Sequence, residues 1–520
     1  MKPVTSEIYT FEKMREGDFL YVDKTSFIHE LVARYGGCYF LSRPRRFGKS
    51  LTISTLKAIF QGKRGLFEGL DIAAKDYDWK KYPVIHLDMG GSGAKNAEGL
   101  REYLSYSLGF IAKDMGVELR ETTPSLAFME LIREVSRTEP VVILIDEYDK
   151  PILDNIGKPE VAAIREELEA FYGVIKTTEP CQRFVFITGV AKFTKVSVFS
   201  KLNHLTDITM NERFATMFGY THTELETCFA EHITVAAQKQ GVSREELIAR
   251  MRRWYNGYRF HRNEETVYNP VSIAQFFFND GEFKNYWFET GSPGVLFELA
   301  KKWNFDFEDA LTRPIHDLAF SQFDVDRLQP LPLLMQTGYL TIREAVADSI
   351  VGTAYYLGFP NYEVASAFAM FLLRDYLPEA DPFTAVGRLN ETLSSGDHEA
   401  FIEELNSLLG AIPWQLHIKQ EAYYHTVAYM AVRLAGLSAT AEEQVHSGAI
   451  DSGVTIGDTT YLFEFKLNKS AGEAIAQIKK KRYAAKYAAS GRRIILFGVN
   501  FNSEKRQIDG WRAEAYPVSE

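Results

Sequence analysis

The sequence predicts an α/β chain, and three stretches carry that prediction: Tyr39–Ser50, Val141–Glu147 and Tyr461–Leu467. Each closes an apolar, strand-like run on charged residues, and the first passes straight into a helical pattern. At 520 residues the chain has room for about three domains. The reading is an N-terminal domain with a parallel sheet and helices on both faces (1–215), a helical lid with a winged-helix-like module (216–385), and a C-terminal α/β domain (386–520).

Bulk properties exclude several classes. A content of 46% hydrophobic and 25% charged residues is that of an ordinary globular protein. No run approaches the ~18 apolar residues of a membrane span, and Met1–Thr10 lacks a signal-peptide core, so a cytoplasmic protein with no membrane partner is expected. Cys38, Cys181 and Cys228 are scattered, which fits a reducing compartment and excludes a Cys-rich zinc site. A net charge of −10 argues against coating nucleic acid with the whole surface. From Tyr461 to Glu520, however, twelve Lys and Arg face six Asp and Glu, so this stretch is +6 and the remainder −16. Such a positive end on an acidic chain marks a partner surface.

The first stretch reads Tyr-Phe-Leu-Ser-Arg-Pro-Arg-Arg-Phe-Gly-Lys-Ser. Cys38–Leu41 is a buried strand and Lys49–Lys57 the helix after it, which is the context a phosphate-binding P-loop requires. Backbone groups of Arg45, Arg46, Phe47, Gly48, Lys49, Ser50 and Leu51 would wrap the phosphates, Lys49 would reach the β/γ oxygens, and the Ser50 hydroxyl would bind Mg²⁺. The usual pattern G-x-x-x-x-G-K-[ST] has glycine where this chain has Arg43, and an ordinary turn before a helix is the competing reading. Val141–Glu147 decides between them. It is a dense β-branched run ending in two carboxylates, a Walker B pattern in which Asp146 holds Mg²⁺ and Glu147 orients the attacking water. Together the two motifs predict a nucleoside triphosphate, ATP or GTP, bound with Mg²⁺.

Around them, Phe11–Lys24 either lies over the nucleotide base or forms a simple edge segment. Tyr82–Asp88 is a strand entered through proline, and Glu98–Lys113, Ser125–Ser136 and Leu168–Ile175 are helical. With Tyr82–Asp88 counted, one strand is expected between the Walker A and Walker B strands, the arrangement of P-loop ATPases that use a catalytic glutamate. Arg183–Gly189 is the next strand. Thr188 at its polar end is either a γ-phosphate sensor or a strand cap. Lys192, Lys195, Arg45 and Arg46 are candidates to contact phosphate in cis or to complete a neighbour's site in a homo-oligomer.

Gly219–Asn279 is helical, opened by the Thr-x-x-Glu start Thr221-His222-Thr223-Glu224. Its aromatics, Trp254–Phe260 and Tyr268, and those of Tyr286–Gly291 suit base stacking or, more simply, packing of the lid. Leu331–Gln336, Thr337–Ile342, Ala354–Phe359 and Asn361–Leu373 read as helix, strand, strand, helix, the winged-helix-like module. No Lys or Arg cluster there favours DNA.

The last constellation is Asp451 followed by Tyr461-Leu462-Phe463-Glu464-Phe465-Lys466-Leu467. Strand alternation puts Glu464 and Lys466 on one face. A hairpin can bring Asp451 beside Glu464, so that two carboxylates hold Mg²⁺ while Lys466 polarises or deprotonates water. This is the pattern of PD-(D/E)xK nucleases, against which stands a solvated Glu-x-Lys pair on an amphipathic strand. Glu421, opening a helix, is a further candidate metal ligand. Gln477 sits on the Ala471–Ala488 helix, Arg493–Val499 is the following strand, and the Lys479–Arg482 run suits phosphates.

On Tyr21–Thr25, Ser42–Ser50, Ile145–Ile152, Phe186–Ser200, Tyr286–Gly291, Gln336–Ile342 and Glu464–Lys466, the chain resembles the bacterial family of AAA-ATPase-like proteins with a C-terminal PD-(D/E)xK nuclease domain. The resemblance implies that Arg-Pro-Arg-Arg-Phe-Gly-Lys-Ser is that family's own P-loop variant. Where members often carry Gly-Arg-Ile-Asp, this chain has Gly448-Ala449-Ile450-Asp451, without the arginine. It further implies ATP hydrolysis coupled to Mg²⁺-dependent cutting of nucleic acid, DNA before RNA, at the basic C-terminal domain, in a setting of defence or mobile elements. The rival is a nucleotide-controlled switch whose nuclease-like domain binds nucleic acid or a protein partner without cutting.

Overall fold

The computed structural model describes residues 1–192, 202, 204–289, 313–316, 330–348, 352–376, 381–411, 427–432, 434–436, 453–480, 484, 487, 491–505 and 507–517. The chain forms two compact units. The first is Met1–Ser292 with Ile315–Tyr355, and the second Pro293–Pro314 with Tyr356–Glu520.

The first unit is built on a five-stranded sheet of β1 (Gly37–Ser42), β2 (Val84–Asp88), β3 (Val141–Asp146), β4 (Gln182–Gly189) and β5 (Thr206–Asp207) in the order β2-β3-β4-β1-β5. All pairings are parallel. Every residue of β3 and β4 is buried, as their continuous apolar runs require for strands covered on both faces. The order corrects one expectation. The strand between Walker A (β1) and Walker B (β3) is β4, the strand of Thr188, and not Val84–Asp88, which lies at the edge. Polar His86 and Asp88 leave β2 partly exposed, which suits an edge and not a centre.

Helix α1 (Phe11–Glu16) is tied to the P-loop helix α2 (Lys49–Phe60) by the Phe11 amide, which donates to Ser54 Oγ at 2.9 Å. The end of the Phe11–Lys24 segment is a brace. Asp23 Oδ1 accepts from the Thr25 amide and hydroxyl at 2.8 and 2.7 Å. Lys24 Nζ pairs with Glu224 at 2.6 Å and donates to Thr216 O. Glu224 belongs to α3 (His222–Cys228), whose start is the reciprocal Thr221/Glu224 cap that the Thr-x-x-Glu spacing predicts.

Lid aromatics pack rather than present open faces: Tyr255, Phe276 and Tyr286 are buried in one cluster with Trp254 and Phe283 against it. Beyond them, α4 (Pro330–Gln336) leads to β7 (Thr341–Asp348) and β8 (Gly352–Gly358), with β6 (Ile315–His316) pairing antiparallel to β8. The expected strand Thr337–Ile342 starts only at Thr341, because Gly338 turns the chain at a φ of 92°.

The second unit carries α5 (Tyr362–Tyr376), α6 (Pro382–Ser395), α7 (His398–Gly410) and a four-stranded sheet of β9 (Gly453–Ile456), β10 (Thr459–Leu467), β11 (Arg493–Asn502) and β12 (Gln507–Ala515) in the order β12-β11-β10-β9. Only β10 and β11 run parallel, joined through α8 (Ala471–Lys480). On one face Phe463 meets Phe497 at 5.0 Å and Phe401 at 5.5 Å. Leu462 and Leu496 pack on the other against Ile475 and Ile478.

Candidate nucleotide and nuclease sites

At the carboxyl edge of the parallel sheet, β1 runs into the loop Ser42–Gly48 and then α2. Gly48 and Arg46 both adopt left-handed backbone, φ 90° and 66°. Lys49 is buried, and its ammonium donates to Arg43 O at 3.0 Å and Pro44 O at 2.9 Å. The cation therefore sits inside the loop, bonded to carbonyls it can exchange for phosphate oxygens. Burial lowers the Lys49 pKa, while Asp146, Glu147 and Asp149 act to raise it.

Arg43 does not face the cradle. Its guanidinium, 1% exposed, donates to Ser42 O (2.9 Å), Thr209 O (2.7 Å) and Phe214 O (3.1 Å), and lies 4.2 Å from the Phe260 ring centre. Phe47 is equally buried, edge-on to Tyr258 at 4.8 Å and Phe260 at 5.5 Å. Arg46 bonds to the Tyr9 hydroxyl at 2.9 Å. Arg45, Ser50 and Leu51 are half-buried.

Opposite the loop, Thr188 Oγ1 donates to Asp146 Oδ1 at 2.6 Å, so the sensor candidate and the Walker B aspartate touch directly. Glu147 is in left-handed backbone, φ 51°, an unfavourable conformation that re-aims its carboxylate off the end of β3. A Cβ on Gly90 would fall 2.7 Å from Glu147 Oε2, so the carboxylate packs directly on the Gly90 backbone. Asp88, paired in register with Asp146, is third at this edge. Burial raises the Glu147 pKa, with Asp146 and Asp88 adding and Lys49 opposing. A buried loop lysine, a helix N-terminus and carboxylates across from them fit a nucleoside triphosphate with a divalent ion. Lys192, by contrast, is engaged by Asp207, and Lys195 lies outside the described residues.

Asp149, to which the sequence reading gives no role, is fully buried. Its Oδ2 accepts from the amides of Val190 and Ala191 at 2.9 and 2.6 Å, clamping the Walker B turn to the loop after β4, while Oδ1 has no partner among the described residues. Burial raises its pKa to about 6, against the two amide bonds and the Lys49 charge. The signal available was an acid three residues past Asp146 at a helix start. Since the folded-state value lies above the unfolded value of about 4, the native protein binds the extra proton between these values and loses stability as pH rises through that window. Asp149→Asn keeps an acceptor for the two amides and should remove that loss, about 2–3 kcal/mol, in denaturant melts at pH 4 and 7. Parallel pH profiles for the two proteins would refute it.

In the second unit, Lys466 Nζ donates to Glu464 Oε1 at 2.8 Å and to Gln477 Oε1 at 2.7 Å. Glu464 and Lys466 do share a face of β10, with Gln477 of α8 completing the group. Asp451 and Glu421 lie outside the described residues, so one carboxylate of the expected metal set is placed. Part of the positive charge is internally neutralised: Glu514 pairs with Lys479 and Arg512, and Asp509 with Lys505. Lys469, Lys480 and Arg493 are exposed.

Comparison with known proteins follows the same division. Residues 6–199 match the family model described as "Predicted AAA-ATPase", and residues 419–511 match the PD-(D/E)XK nuclease superfamily. A protein of Azotobacter chroococcum mcd 1, named "Uncharacterized protein in vnfD 5'region", is 38% identical over 522 residues, covering 98% of each chain.

Proposed function

Because the chain belongs to the family joining an AAA-ATPase-like domain to a C-terminal PD-(D/E)XK nuclease superfamily domain, we propose that it hydrolyses ATP with Mg²⁺ and cuts DNA in a metal-dependent reaction that the nucleotide controls. The observation that carries the first half is the meeting of Lys49, Asp146, Glu147 and Thr188 at one sheet edge. Lys49 holds the phosphates, Ser50 and Asp146 hold the ion, Thr188 fixes the Asp146 carboxylate, and Glu147 takes a proton from water. The bound ion supplies charge neutralisation on the phosphates.

The nuclease half rests on the Glu464–Lys466–Gln477 group. Glu464, with Asp451, is the carboxylate set for a divalent ion. Lys466 is the cation beside the water, and Gln477 orients its amine. Exposed lysine and arginine nearby suit a phosphate backbone. Among the described residues no helix is long and apolar enough to cross a membrane.

Labelled linear and circular DNA, incubated with pure protein and Mg²⁺ or Mn²⁺ with and without ATP, tests this beside Lys49→Ala, Asp451→Ala and Lys466→Ala. Lys466→Ala and Asp451→Ala are expected to lower cutting by about 10³-fold without touching ATP turnover. Lys49→Ala is expected to remove the ATP response. ATP turnover with no cutting of any substrate would replace the nuclease with the switch.

A further inference from the structure

Just behind Thr188, the loop Val190–Lys192 presents three consecutive backbone N–H groups. Asp149 Oδ2 takes the first two. The third, from Lys192, donates to the side-chain carbonyl of Gln336 at 2.9 Å, across 144 positions of sequence. The Tyr148 hydroxyl also holds this loop, through Ala191 O at 2.8 Å. Thus the loop that fixes the sensor strand's end is strung between the Walker B turn on one side and the end of α4 on the other.

Two residues on, the same corner meets the P-loop. A Cβ on Gly338 would lie 2.7 Å from Pro44 Cβ, so the backbone there rests directly on the loop's proline. Trp287 packs on Tyr339 at 5.3 Å, and its indole N–H donates to Arg45 O at 3.0 Å. The carbonyls of Arg43 and Pro44, which now hold Lys49, are immediate neighbours of that Arg45 carbonyl.

We propose that Gln336 is a positioning residue of the ATPase centre, and that with Gly338 and Trp287 it makes the Gln336–Tyr339 corner the element that reads the nucleotide state. The proposal rests on the ATPase reading above. Gln336 holds the Lys192 amide, and through that loop the Thr188 hydroxyl on Asp146. Trp287 couples the same corner to the phosphate loop. The corner therefore contacts, at once, the phosphate loop and the loop behind Thr188.

The test uses the full chain. Affinity for a fluorescent ATP analogue and kcat for ATP are measured for wild type, Lys49→Ala, Gln336→Ala and Gln336→Glu. Gln336→Ala is expected to bind within about threefold of wild type and to turn over about ten- to a hundredfold more slowly, the cost of a misplaced group. Gln336→Glu, which keeps an acceptor, is expected to recover most of that rate. The emission of Trp287, taken as the difference between wild type and Trp287→Phe, is expected to shift on adding ATP in wild type and not in Gln336→Ala. An unchanged kcat in Gln336→Ala, or a loss that glutamate does not recover, overturns the positioning role. A Trp287 signal blind to ATP overturns the reading role. Wild type that fails to bind the analogue in a Lys49-dependent way instead overturns the ATPase reading itself.

Discussion

Arg43→Gly, which restores the glycine of the usual P-loop pattern, should destabilise the first unit by about 3–6 kcal/mol and weaken nucleotide binding with it. The guanidinium donates to three carbonyls, those of Ser42, Thr209 and Phe214, and it fills the space beside Phe260. Glycine removes that donor from all three carbonyls, leaving Phe214 O with the Met217 amide at 3.3 Å, and opens a cavity at the base of the loop. Arg43→Lys should recover less than half, since an ammonium cannot serve three planar directions or stack on a ring as guanidinium does. Thermal unfolding reads the effect as a drop of about 4–9 °C. A glycine variant that melts with wild type would show that the arginine is dispensable.

Glu147→Gln is expected to keep ATP bound and to slow hydrolysis by about 10²–10⁴-fold, the usual worth of a positioned proton acceptor. Its geometry argues for a dedicated role: a non-glycine residue held at φ 51°, with its carboxylate packed on Gly90. Glutamine has the same shape and cannot take the proton. Single-turnover hydrolysis and equilibrium binding separate the two effects. If turnover survived intact, the base would have to be sought in Asp88 or Asp149, the other carboxylates at this edge.

Local patterns made much of this legible. The P-loop, the Walker B run and the β4 strand depend on backbone conformation within a dozen residues, so spacing and apolar density suffice to find them. Strand alternation likewise put Glu464 and Lys466 on one face. Side-chain direction was not legible: nothing local says that Arg43 turns away from the phosphates and into the core. Nor is strand order, which is why β2 was placed between the Walker strands instead of β4. Asp149 and Gln336 act through loops far from them in sequence, and no local period records such contacts. The Thr337 strand start failed for a different reason, a single left-handed glycine inside an otherwise β-like run.

The division of the chain into units has a practical corollary. It passes from one unit to the other after residues 292, 314 and 355, so neither unit is one uninterrupted stretch. A fragment ending at residue 215, the boundary that the motifs suggest, would lack Tyr258, Phe260, Trp287 and Gly338, and would expose Phe47 and Pro44 to water. The shortest uninterrupted piece containing the whole first unit is residues 1–355, and it carries residues 293–314 of the other unit with it. Dissection by truncation would therefore remove the walls of the nucleotide loop before it isolated an ATPase.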